Sequence, residues 1–271
     1  MGQHPFFWVD AFTEELFKGN PAAVCLIDTS LNDTLYQNTA AEINLSETAF
    51  AEKIGESDYK LRWFTPVLEM PLCGHATLST AYILFTKYGE KSPISFHTKS
   101  GVLKVYNTSE GIRLAFPVFP STSAEPPAEL LQALGVKNPL DSVYEKSMGV
   151  YLLLLEDEED IESVEPNFEA LNKVCKKHGL IGAIVTARGS DKFDFVSRVF
   201  APGAGVNEDP VTGLAHCMLV PYWASKLGKS KLSAYQKSKR GGELGLELVG
   251  ETIYITGKAV TLLEGNITVL V

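Results

Sequence analysis

Arg62-Trp-Phe-Thr-Pro66 leads through Gly74-His75 into an apolar segment that stops at Gly89, and Arg198-Val-Phe-Ala-Pro202 leads through Gly213-Leu214 into a second that stops at Gly228. From glycine to glycine the spacing is 15 positions in both halves, 74 to 89 and 213 to 228. A long repeat used once per half points to duplication, and a duplicated body has one special place, the cleft between its halves. Ala76, Leu78, Ala81, Tyr82, Ile83, Leu84 and Phe85 leave little polar face on the first segment. Leu214, Ala215, Cys217, Met218, Leu219, Val220, Tyr222 and Trp223 leave as little on the second. A helix apolar on nearly every side, yet too short for a membrane, must be surrounded by protein. Each is therefore read as a central helix wrapped by its own curved sheet. Both are expected to begin at a glycine, offering free N–H groups and a positive dipole end that suit a small carboxylate. Pro221, inside the second, should kink it or remove one backbone hydrogen bond.

Working outward, the two halves read as one order of elements. Strand 22–27, helix 34–43, strands 48–52 and 60–64, helix 74–88, and strands 94–97, 102–107 and 112–116 make the first. Strand 150–155, helix 168–178, strands 181–186 and 193–200, helix 212–227, and strands 232–236, 244–249 and 252–256 make the second. Between them, Pro117 to Pro127 holds four prolines with serines and threonines, the most linker-like composition in the chain. The expected domains are residues 1–117 and 118–258.

Composition limits the function. The 271 residues are 45% hydrophobic and 10% aromatic, enough to bury a substantial core. A net charge of -9 argues against a protein that neutralises phosphates along a duplex, so nucleic acid is not an expected partner. Met1 to Phe12 has neither the basic region nor the apolar core of a signal peptide, and the run Tyr151 to Leu155 is far too short to cross a bilayer. The cytoplasm is the expected location and no membrane partner is expected. Cys25, Cys73, Cys175 and Cys217 show no paired spacing of a disulfide framework or zinc knuckle. The acidic run Glu156 to Glu162 reads as a solvated turn rather than a cation site, because linear carboxylates do not converge. No metal is expected.

Five motifs follow in order: Gly19-Asn-Pro-Ala-Ala-Val24, Ser46-Glu-Thr-Ala-Phe50, Cys73-Gly-His-Ala-Thr77, Glu208-Asp-Pro-Val-Thr-Gly213, and Tyr235-Gln236 with Arg240-Gly-Gly242. Together they resemble the phenazine-biosynthesis isomerase, or PhzF-like, family over essentially the whole chain. The resemblance implies an α+β fold akin to diaminopimelate epimerase. Two pseudo-symmetric domains, each a barrel-like, mostly antiparallel sheet around a central helix, would flank the active site, with residues 259–271 returning to the first domain. It further implies a homodimer and proton transfer between carbons of a small carboxylate substrate, without metal or organic cofactor.

On that pattern Glu47 is the general acid/base, a role for which a carboxylate needs partial burial to raise its pKa. His75 would hydrogen-bond a substrate carbonyl or shuttle a proton, and Asp209 would orient the substrate or His75. Asn20, Cys73, Gly74, Ala76, Thr212, Gly213, Leu214, Gln236 and Arg240 complete the expected substrate-binding set. Many relatives carry serine where this chain has Leu214, which implies a smaller or less polar substrate there. Racemases of this fold use two cysteines, one at each central helix; Cys73 fits the first place, but Thr212 holds the second. A Cys73-dependent epimerase is thus an alternative, as is a catalytically silent binding protein on the same fold. A thiol at a helix start tends toward a lowered pKa, yet Cys73 and His75, two apart in a turn, are expected to point away from each other. His216-Cys217 reads as packing, since adjacent helical residues face different ways. Most of the six Lys and Arg residues from Lys226 to Arg240 read as a solvated loop.

Overall fold

The computed structural model describes residues 2–190 and 192–269 and divides the chain into two compact units, Met1–Phe116 with Tyr254–Val271, and Pro117–Ile253. The elements run β1 (Gly2–Ala11), β2 (Asn20–Ile27), α1 (Asp33–Ile43), β3 (Glu47–Gly55), β4 (Asp58–Phe64), β5 (Glu69–Met70), α2 (Gly74–Lys87), β6 (Ile94–Thr98), β7 (Gly101–Thr108) and β8 (Gly111–Pro117). They continue with β9 (Thr122–Ser123), α3 (Ala128–Leu134), β10 (Asp141–Glu145), β11 (Val150–Leu154), α4 (Glu158–Ser163), α5 (Phe168–His178), β12 (Gly182–Arg188), β13 (Phe195–Ala201) and β14 (Val206–Asp209). Last come α6 (His216–Leu227), β15 (Lys231–Gln236), β16 (Gly242–Val249), β17 (Thr252–Gly257) and β18 (Ala259–Val269).

The repeat seen in the residues recurs in the pairing. In the first unit β2 and β3 pair parallel across α1, β3 and β4 antiparallel, β4 and β6 parallel across α2, and β6 and β7 antiparallel. In the second, β11 and β12 pair parallel across α4 and α5, β12 and β13 antiparallel, β13 and β15 parallel across α6, and β15 and β16 antiparallel. The sheets are thus mixed: in these four matched steps, two in each unit, the strands joined across a central or flanking helix run parallel, as a crossover allows. β18 runs antiparallel along the whole of β1. Residues 270 and 271 of the expected returning segment lie outside the described residues.

The first central helix is wrapped by strands. α2 packs on β1, β2, β3, β7 and β18, and Gly74 to Ala81, Ile83 and Leu84 are all buried. Leu78, Ile83 and Leu84 lie at 1% exposure or less, each stabilising by roughly 1.5–3 kcal/mol through burial. Both helices end where the glycine spacing places the stop: Gly89 follows α2 with φ 64° and Gly228 follows α6 with φ 67°, a region that side chains avoid.

The second helix departs from the expectation. Residues 213–215 form a turn, and regular helix begins at His216. The bonds His216 N to Gly213 O, Cys217 N to Leu214 O and Met218 N to Ala215 O, all 3.0–3.1 Å, are of the tighter three-residue kind common at helix ends. Pro221 costs less than its position suggests. It cannot donate to the carbonyl of Cys217, and the Phe119 N–H takes that carbonyl at 3.1 Å instead.

The acidic run is also more ordered than a turn. Asp157 accepts from Asp160 N and caps α4, whose far end offers the carbonyls of Ile161, Glu162 and Val164 to the Arg198 guanidinium at 3.1, 3.4 and 2.7 Å. In the proline-rich stretch, Thr122 and Ser123 pair with Tyr144 and Val143, so it joins the second unit's sheet. No described helix is long and apolar enough to cross a membrane.

Candidate functional site

Glu47 stands at the head of β3 because α1 ends just before it. Asn44 closes α1 in the left-handed conformation, φ 56°, with its N–H returned to Ala40 O, and the chain re-enters the sheet at Glu47 opposite Ala22 of β2. The glutamate is no solvent-facing strand residue: its side chain is 13% exposed, and its Oε2, out of water, lies 3.1 Å from His75 Nε2, off hydrogen-bond alignment. His75 occupies the second position of α2 and is buried.

Around the imidazole the chain assembles four further polar atoms. The Asn20 amide Nδ2 lies 3.2 Å from Nδ1, and Cys73 Sγ lies 3.6 Å from the same nitrogen. Ser46 Oγ is 3.5 Å from Nε2 and donates within 3.3 Å of Asn20 Oδ1 and 3.1 Å of the Pro21 carbonyl. The fourth is the Glu47 oxygen itself. The expectation that Cys73 and His75 diverge is therefore corrected. Cys73 is extended, φ -144° and ψ 121°, and this turns its sulfur back over the first helical turn. Glycine at position 19 makes the approach of β2 possible: with φ 65°, a Cβ there would lie 2.1 Å from the Ala11 carbonyl oxygen.

Burial alone would lower the His75 pKa, but Cys73 and Glu47 against the ring outweigh burial, and it stands well above the ordinary value. The Cys73 thiol is pushed up, chiefly by burial. A helix-start thiolate is thus not what this position favours.

Among the described residues, Glu47, Cys73 and His75 form a group that could hold a metal, with one ligand atom from each within 4.8 Å of the others. They approach opposite edges of the ring, however: Cys73 lies by Nδ1 and Glu47 by Nε2. An ion on the lone pair of either nitrogen would require the other side chain to swing around the imidazole.

A second cluster forms in the other unit around Thr212. Its hydroxyl donates to Asp209 Oδ2 at 2.5 Å, and its N–H donates to Gln236 Oε1 at 2.8 Å. The Gln236 amide donates in turn to the Asp209 carbonyl at 2.6 Å and lies 3.2 Å from the Thr212 hydroxyl. Gln236, expected as a substrate contact, is wholly buried with its amide committed to this loop. Leu214 and Arg240 are half-buried, and Gly213 is buried. Gly241, at φ 68°, lets the loop pass the Tyr235 hydroxyl, 2.0 Å from where a Cβ would stand. Four of the nearby lysines are neutralised: Lys226 by Asp141, Lys229 by Asp194, Lys231 by Glu247, and Lys237 by Glu158 and Glu162.

Matching the halves through Arg62 and Arg198 shows how they diverged. Both arginines make paired bonds to a glutamate, Glu69 for the first and Glu208 for the second, and both stack on the phenylalanine two residues on. Counted instead from the glycines Gly74 and Gly213, His216 stands at Thr77's place: Thr77 Oγ1 donates to the Cys73 carbonyl, and His216 Nδ1 donates to the Thr212 carbonyl at 2.8 Å. The His216 ring packs on Phe195, and burial lowers its pKa to about 4, so it is structural, as the packing reading expects. Sheet register pairs Thr48 with Phe64 and Ala183 with Phe200, which makes Gly182 the counterpart of Glu47. A Cβ on Gly182 would stand 1.8 Å from the Phe200 carbonyl oxygen, so no carboxylate fits there. Motifs alone missed this; it needs the register. They also gave Ser46 no role, although it adjoins Glu47.

A half-buried carboxylate beside a buried imidazole, on a duplicated mixed-sheet α+β fold, marks an enzyme of the isomerase class. The chain belongs to the phenazine biosynthesis-like (PhzC-PhzF) protein family, whose profile matches residues 9–265. It is similar to two proteins named uncharacterized isomerases. One, from Halalkalibacterium halodurans, is 45% identical over 97% of this chain and 98% of that one; the other, from Pseudomonas aeruginosa, is 47% identical over 98% of each. Among solved structures, the PhzF-family protein of Enterococcus faecalis superposes with a TM-score of 0.91 at 42% identity, covering 99% of this chain and 100% of that one. A hydroxyproline epimerase from Agrobacterium vitis, 12% identical with a TM-score of 0.60 over 98% of this chain and 92% of its own, shares the fold.

Proposed function

We propose that this protein is a cofactor-independent isomerase in which Glu47 takes a proton from one carbon of a small carboxylate substrate and returns it at another, shifting a double bond or a stereocentre. The observation that carries this reading is the Glu47 oxygen itself: out of water and 3.1 Å from His75, in a segment that otherwise buries Thr48, Ala49, Phe50 and Ala51. A carboxylate kept from solvent is a stronger base toward a carbon acid than a hydrated one, and His75 beside it supplies a proton-bearing partner to hold its orientation. The working unit in this proposal is a homodimer.

A second reading has one observation in its favour, the Cys73 sulfur 3.6 Å from His75, which could make the thiol the acid/base. Burial works against it by holding the sulfur protonated. Deuterium incorporation separates the two. The protein is incubated in deuterated water with a panel of small unsaturated and amino carboxylic acids, and exchange is read by mass. Glu47→Gln should cut exchange by about a hundredfold or more, as loss of a general base does, while Cys73→Ser exchanges near the parent rate. The opposite pattern would transfer the chemistry to Cys73.

A further inference from the structure

We propose that Asn20 is a positioning residue that acts through His75, pinning the Nδ1 edge of the ring so that the Nε2 proton is kept toward Glu47. Asn20 opens β2 and is 0% exposed, so its amide faces protein rather than a ligand. An amide nitrogen can only donate. With Asn20 Nδ2 3.2 Å from His75 Nδ1, that ring nitrogen must offer its lone pair, and the single proton of a neutral imidazole then sits on Nε2, which faces Glu47 Oε2 at 3.1 Å. Ser46 completes the arrangement. Its hydroxyl serves Asn20 Oδ1 and the Pro21 carbonyl, which fixes the amide's other end.

The same amide also tolerates the charged ring. Turned over, it presents Oδ1 to a protonated Nδ1 and its NH2 to the Ser46 oxygen, which keeps the Pro21 carbonyl as its own acceptor. In the charged ring Nε2 keeps its proton, 3.1 Å from Glu47 Oε2. Asparagine is therefore suited here in a way that neither aspartate, which only accepts, nor leucine, which does neither, can match. This assignment moves Asn20 from the expected substrate contacts to the support of His75. Its catalytic consequence rests on the reading of Glu47 as the base, whereas the placement of the proton does not.

The test reads the ring directly. Protein with 15N-labelled histidine is examined by NMR, with the His75 signals assigned from their loss in His75→Gln. In the parent, Nε2 should be protonated throughout the accessible pH range. In Asn20→Leu, or in Asn20→Ala should the larger side chain prevent folding, the form with the proton on Nδ1 should rise to a comparable population. Asn20→Asp should hold Nδ1 protonated. On whichever acid of the panel exchanges, Asn20→Ala should lower the maximal rate about tenfold and change KM less than twofold. An unprotonated Nε2 in the parent, unchanged His75 signals in every variant, or a tenfold rise in KM at unchanged maximal rate would each overturn the proposal. The NMR arm needs no turnover, so it stands apart from the test of Glu47.

Discussion

Removing the Arg198 guanidinium should destabilise the second unit more than any other single loss of charge described above. The arginine is 13% exposed on its side chain and Glu208 is 21% exposed. Between them run two bonds of 2.7 and 3.1 Å, while NH1 serves the α4 carbonyls and the guanidinium lies 4.9 Å from the Phe200 ring centre. Breaking a buried pair from one side costs about 3–5 kcal/mol, and the residual water at Glu208 draws that toward the lower end. The two close carbonyl bonds are worth about 1 kcal/mol each, partly recovered because a helix end can turn to solvent. For Arg198→Met the sum is a loss of about 3–4 kcal/mol. Arg198→Lys keeps charge and stem but not the planar fork, and should lose about half as much. Urea unfolding followed by Trp223 reports this unit, since Trp8 and Trp63 lie in the other. A loss below about 1 kcal/mol for Arg198→Met, or equal losses for Met and Lys, would refute the account of a shared fork clamping sheet to helix end.

The His75 pKa stands above its unfolded value, so the folded state holds the proton more tightly. Its contribution to stability is full below about pH 6.5, the reference value for an unfolded histidine, and fades as pH rises through the folded pKa. Urea midpoints of the parent and His75→Gln should thus converge from the acid side upward, and a gap that widens with pH would show the sign to be wrong. Gly182→Ala should cost about 3 kcal/mol, because its Cβ meets a backbone carbonyl at 1.8 Å rather than a movable side chain. A midpoint within experimental error of the parent would remove the steric reason for the missing carboxylate in the second half.

Much of this architecture is legible in the residues because its signals are local. The apolar stretches and their glycine stops locate α2 and the body of α6, and alternating strands such as Val102 to Asn107 announce themselves through turn chemistry. Elements whose cause lies elsewhere in the chain are silent. β1 contains Pro5 and reads as an undistinguished N-terminus, yet it is a strand between β2 and β18. α4 looks like a solvated acidic run because its support comes from Arg198, well downstream in sequence. The candidate site divides in the same way. Glu47 and His75 stand out as candidates from motif residues, whereas the role proposed for Asn20 depends on β2 meeting the start of α2, and the blocked place at Gly182 depends on strand register.

All four cysteines are buried and unpaired, two in each unit: Cys25 and Cys73 in one, Cys175 and Cys217 in the other. Burial raises the pKa of every one of them, to about 12 for Cys25. A thiol-specific label added to the folded protein therefore meets neither an accessible sulfur nor a ready thiolate, and its attachment is governed by opening of the surrounding backbone, at the opening rate itself once label is concentrated enough to outpace reclosing. Each unit thus carries an internal clock of its own. Mass analysis of the labelled peptides, without any introduced probe, would time the breathing of the two halves separately and show whether a bound carboxylate slows the clock at Cys73 alone.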